Sequence, residues 1–143
     1  MNLTTVRFGE IEISNERVFD FKIPLIGFDN LTKFVILEPN KESMFKWLQS
    51  VEDPSLAFPI ISVMSLNIDY EIDLPDSVVD KLDISGVESL LVMNITSIPQ
   101  NNPSGTTINL LAPIIFNVDN QLAGQIVLSG SGYDINFPMF KNN

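Results

Sequence analysis

The run Trp47-Leu48-Gln49-Ser50-Val51-Glu52-Asp53-Pro54-Ser55-Leu56-Ala57-Phe58-Pro59-Ile60 restricts the chain more than any other stretch, because it holds the sole tryptophan and two prolines within one short window. Its first half alternates. Phe45, Trp47, Gln49 and Val51 fall on one side and Lys46, Leu48 and Ser50 on the other, the period of a β-strand. Pro54 stops that strand: its φ is fixed, it has no N–H for a ladder, and it keeps Asp53 out of the helical region. Phe58-Pro59 predicts a second stop. Two breakers so close together predict a short exposed connection beside a packed aromatic, with Glu52 and Asp53 at its tip. Such a connection is either an ordinary turn or a rigid acidic recognition loop.

The same punctuation recurs along the chain. Val6, Phe8, Ile11 and Ile13 flank Gly9-Glu10 and predict a hairpin with Gly9 at the first central position of a type II′ turn. Asn15-Glu16-Arg17 is a turn, and Val18-Phe19-Asp20-Phe21 a short strand. Lys22 to Phe28 is an apolar loop, to be tucked over a core or used at an interface. Leu31 to Leu37 is a strand apolar on both faces and therefore central. From Met64 the alternation is the cleanest in the chain: Met64, Leu66, Ile68, Tyr70, Ile72 and Leu74 against Ser65, Asn67, Asp69, Glu71 and Asp73. It predicts a strand with a core face and a carboxylate face. Asp76 to Leu82 is the one convincing helical turn, with its acids toward the start. Leu90 to Ile98 is a strand, Gln100 to Gly105 a polar surface loop, and Thr106 to Val118 a long strand bent at Pro113. Asn120 to Gly124 is a turn, and Gln125 to Leu128 a strand. Ser129-Gly130-Ser131-Gly132 has the composition of a phosphate cradle but no following helix to supply the dipole, so it is a turn. Eight to ten short strands and one short helix predict an all-β fold: a small antiparallel β-barrel or sandwich-like single domain over residues 1–143.

Composition removes several function classes. The chain has neither cysteine nor histidine, which excludes disulfides, thiolate nucleophiles, a Ser-His-Asp arrangement and the commonest zinc ligand. No leader-like segment opens it, and no apolar stretch approaches the ~20 residues that cross a bilayer, so a soluble, cytoplasmic protein is expected. The net charge is −10, and Glu52 to Glu88 carries nine acids against the single base Lys81. Such a surface repels phosphate backbones and anionic lipids and steers a basic protein toward it. Direct nucleic-acid or membrane binding is therefore not expected. Asp69, Glu71 and Asp73 fail as a metal set, since same-face strand residues stand roughly 6.5–7 Å apart whereas calcium needs several oxygens converging at about 2.3–2.6 Å. No cofactor is implied. The same spacing argues against a glycosidase pair, whose carboxylates face each other across a cleft.

Taken together, Phe8-Gly9-Glu10-Ile11-Glu12, Leu25, Gly27 and Phe28, the Trp47 run through Pro59, Asp69-Tyr70-Glu71, Asn109-Leu110-Leu111-Ala112-Pro113-Ile114 and the Tyr133, Pro138, Phe140 ending resemble the flagellar assembly factor FliW family nearly end to end. The Trp47 and Asn109 runs are the specific ones. Pro24 and Ile26 stand where that family commonly has Gly and a second Pro, and Phe137 replaces a usual His. The resemblance implies a non-enzymatic regulator with a small barrel-like fold that binds flagellin and also CsrA, a small basic RNA-binding repressor of translation. Glu52, Asp53, Asp69, Glu71 and Asp73 are then the residues expected to steer the basic partner, with Phe28 and Phe58 as apolar anchors. The competing possibilities are a structural β-sandwich interaction module and a chaperone that binds flagellin only.

Overall fold

The computed structural model describes residues 1–140. Its strands follow the short alternating runs: β1 (Asn2–Thr5), β2 (Gly9–Glu12), β3 (Val18–Ile23), β4 (Lys33–Leu37), β5 (Phe45–Ser50), β6 (Ala57–Ile61), β7 (Leu90–Ser97), β8 (Thr107–Ile108), β9 (Ile114–Asn117), β10 (Leu122–Gln125) and β11 (Phe137–Pro138). One helix, α1 (Asp76–Lys81), begins after Pro75 with Asp76 in its first turn and Lys81 in its last, each matching the dipole.

Seven strands close a barrel in the order β7-β6-β5-β4-β3-β10-β9, and β9 returns to β7 through Leu90↔Asn117 to Met93↔Ile114. β7 is long enough to serve three neighbours: its first half pairs with β9, Asn94 and Ile95 with β6, and its end with β8. Every barrel pairing is antiparallel except β3 with β10. At that parallel seam Gly124 stands opposite Ile23, and a Cβ on it would lie 2.8 Å from the Ile23 Cβ. The glycine is what lets the two strands approach.

Closure leaves no edge on these strands and wraps their inward side chains around one apolar centre. Phe19, Phe21, Phe34, Leu48, Ile60, Met93, Ile114 and Phe116 fill it. Phe116 meets the edges of Phe19 at 4.9 Å and Phe21 at 6.0 Å, separations typical of attractive aromatic pairs. The β1–β2 hairpin packs outside, with Leu3 and Ile13 against Val35.

Several sequence expectations need correction. The hairpin turn lies at Val6–Phe8, with Gly9 already in β2 at φ +69°; the Thr5 hydroxyl accepts from Phe8 N–H and donates to the Gly9 carbonyl, holding the longer turn. Pro59 does not stop the chain. It sits inside β6 opposite Trp47, and the Thr96 hydroxyl donates to its carbonyl at 3.1 Å. Thr106 to Val118 is two strands, because Pro113 breaks the ladder and the chain turns between β8 and β9. The strand expected over Gln125 to Leu128 instead runs from Leu122 to Gln125, into the stretch expected as a turn, because the turn is complete at Gln121, whose N–H donates to the Asn117 carbonyl and whose φ is 61°.

Candidate functional site

The polar residues of the Trp47 run build the acidic connection. Gln49 is wholly buried, and its side-chain amide donates to the carbonyls of Ser50, Asp53 and Pro54 at 3.0, 3.4 and 3.4 Å. The Ser50 hydroxyl accepts from the backbone N–H groups of Glu52 and Asp53. Trp47 is half-buried, edge-on to Phe8 at 5.7 Å, with the Arg7 guanidinium 4.3 Å over its ring. The loop is held from inside by the Gln49 amide and from outside by the hairpin tip, where the Val6 N–H donates to the Pro54 carbonyl at 2.9 Å.

Its two acids have partners within the chain. Glu52 Oε1 accepts from the backbone N–H of Thr32 at 2.7 Å and of Lys33 at 2.9 Å, tying the loop to the start of β4. Those bonds hold its carboxyl below the usual value of 4.5. Asp53 closes a small turn on Ser55, accepting from its backbone N–H and its hydroxyl, and is likewise lowered. Glu52→Gln is expected to cost about 0.5–1 kcal/mol near neutrality, because the bonds are solvent-screened. A depressed carboxyl stabilises the fold above its unfolded value, so the cost is full above about pH 4.5 and vanishes as pH falls through the folded value. Urea midpoints of the two proteins should therefore converge in acid.

Asp69, Glu71 and Asp73 lie elsewhere. The segment from Leu66 to Leu74 keeps the alternation seen in the sequence: Leu66, Ile68, Tyr70, Ile72 and Leu74 turn inward and Asn67, Asp69, Glu71 and Asp73 are exposed. It is nonetheless not a strand. It crosses the barrel surface without a ladder, and Met64 sits in a short 3-10 turn with 67% of its surface exposed rather than on the core face. Tyr70 anchors this acidic ledge. Its hydroxyl donates to the Leu110 carbonyl at 2.6 Å and accepts from Asn94 Nδ2 at 3.1 Å, while Asn94 also donates to the Asn109 carbonyl. Tyr133 stacks edge-on to Tyr70 at 4.7 Å and accepts from the Glu71 N–H at 2.8 Å. Burial pushes the Tyr70 phenol up to about 12. Asn94 and Tyr133 carry no charge pattern of their own; their position beside the Asp69-Tyr70-Glu71 triplet emerges only when β7 and the tail are folded.

Phe28 and Phe58 do meet, edge-on at 5.4 Å. They line a cavity of about 250 Å³ with Leu25, Ile95, Ala112 and Gln125. Of the apolar loop, Leu25 is buried, Phe28 half-buried and Ile26 60% exposed at the rim, with Val127 and Ile135 also open to solvent. Gln125 braces this site, accepting from the Ile26 N–H and donating to the Ala112 carbonyl. No hydrogen bond or shared cavity among the described residues links Glu52 and Asp53 to the Asp69–Asp73 ledge, so the seven expected site residues fall into three places.

The molecule is thus a small closed barrel carrying an anchored acidic ledge and an apolar, aromatic-lined cavity. The family model described as FliW protein matches residues 2–139, and the chain belongs to the FliW family. It is 42% identical over 135 residues to the flagellar assembly factor FliW of Caldicellulosiruptor saccharolyticus, covering 94% of this chain and 88% of that one. The Geobacter sulfurreducens protein of the same name is 35% identical over 98% of this chain and 87% of its own. A crystal structure of a flagellar assembly factor FliW superposes with a TM-score of 0.91 at 32% identity, covering 99% of both chains. The closed barrel and single short helix agree with that structure. No helix among the described residues is long and apolar enough to cross a membrane.

Proposed function

We propose that this protein is a non-enzymatic, cytoplasmic regulator of flagellar assembly that binds flagellin and antagonises the basic translational repressor CsrA. Free flagellin occupies it; when flagellin is exported, the protein is released, captures CsrA and relieves repression of flagellin synthesis. Family membership supports the role in flagellar assembly, and the exposed Asp69, Glu71 and Asp73 row is the observation that supports a basic partner. A protein of net charge −10 bound beside an RNA site raises the electrostatic cost of approach for phosphates even without covering that site. Neither nucleic acid nor membrane is a direct partner in this scheme.

The double reversal Glu71→Lys/Asp73→Lys should slow association with CsrA by about tenfold at low salt and much less at high salt, with thermal stability unchanged because both side chains are exposed. Stopped-flow kinetics at two ionic strengths measures this. An unchanged on-rate removes the ledge from the proposal. The reading in which flagellin is the only partner is supported by the apolar cavity under Phe28 and Phe58, which offers little to a highly basic surface.

A further inference from the structure

The acidic ledge has the burial period of a strand and none of a strand's hydrogen bonds. Among the described residues, no backbone N–H or C=O from Asp69 to Leu74 bonds to another backbone group, and the Glu71 N–H alone has a partner, the Tyr133 hydroxyl. Exposed backbone groups on an extended segment are a template for pairing. Beside it runs a groove of about 460 Å³, with Glu71, Asp73 and Pro75 on one wall and Ile126 to Ser131 on the other. On that second wall Ile126 and Leu128 donate to the carbonyls of Pro113 and Leu111. Val127 between them is half exposed and has no backbone partner of its own.

We propose that Asp69–Leu74 is an open edge that takes an extended, Lys- or Arg-bearing segment of a partner as an added β-strand. Main-chain bonds to the free groups supply affinity, and alternate side chains of the incoming strand supply specificity. The exposed carboxylates call for bases at alternate positions opposite them, since opposite charges across a strand pair attract and like charges repel. A second copy of this chain is a poor occupant for that reason: it would bring the same acidic row. The inference stands on backbone geometry and charge, and goes beyond the proposed function by stating how a basic partner is held, whichever protein supplies the segment.

The test uses amide hydrogen exchange on the intact protein with a synthetic alternating Lys-Val octapeptide, and with the same peptide N-methylated at every second residue. The expected result is exchange slowed at least about tenfold at Asp69 and Asp73, whose N–H groups lie on the same edge as that of Glu71, by the first peptide and unchanged by the second. Asp73→Pro, which removes an N–H unused within the chain, should abolish the protection, while Asp73→Ala should only weaken it. Equal protection by both peptides would mean charge attraction without strand addition and would overturn the inference. So would unchanged exchange at a saturating concentration of the unmethylated peptide.

Discussion

Tyr70→Ala is expected to lower the unfolding free energy by about 3–5 kcal/mol, the range for removing a buried aromatic side chain. Three losses add up at this position. The ring leaves a cavity beside Tyr133 and the Ile61, Val63, Ile108 and Leu110 cluster. The Leu110 carbonyl and Asn94 amide lose their shared partner inside the protein, and a buried group left without a partner costs its desolvation. The ledge also loses the one residue between Leu66 and Leu74 that is buried. Tyr70→Phe isolates the hydroxyl and should cost about 1–3 kcal/mol. The phenol adds a signature in base: because its folded value is raised to about 12 from an ordinary value near 10, its contribution is full below about pH 10 and is lost as pH rises through 12. Urea unfolding at neutral pH measures both variants. A loss under 1 kcal/mol for the alanine variant would show that the ledge is not held through Tyr70.

Phe116→Ala should be as damaging, at about 3–5 kcal/mol, but for a reason that lies in the barrel rather than on its surface. Phe116 is wholly buried on β9, opposite Ala123 and Leu91, at the place where β9 joins both β10 and β7. The cavity would open between Phe19 and Phe21 on β3, which pack on it edge-on, and a closed barrel has little freedom to collapse around it. The expected reading is a lower denaturant midpoint with an unchanged slope. Retention of wild-type stability would mean that the core centre lies elsewhere.

These two positions differ in how far they can be read from the chain alone. The apolar runs that feed the barrel are legible, some by period-2 alternation and others, such as Phe34 to Leu37, by being apolar on both faces, with glycine, proline or asparagine near their ends. Barrel closure is not, since it depends on β3 near the start of the chain pairing in parallel with β10 near its end. Met64 to Leu74 shows the limit most sharply: alternation reports which side chains turn inward, and it does so correctly from Leu66 onward, but it says nothing about whether a neighbouring strand exists. Proline was similarly ambiguous. Pro113 breaks its strand, whereas Pro59 sits within a ladder, and the difference lies in which neighbour needs the missing N–H. Glu52 and Asp53 are legible as acidic loop residues, and the bond of Asp53 to Ser55 is local, yet the bonds of Glu52 to Thr32 and Lys33 depend on a fold that brings the start of β4 beside the loop. The pairing of Phe28 with Phe58 likewise needs the apolar loop to meet β6.

Titration calorimetry of the protein against its cognate CsrA, repeated with flagellin already bound, tests the central claim most directly. The account predicts tight CsrA binding that flagellin abolishes. Undetectable CsrA binding by the free, folded protein would contradict it.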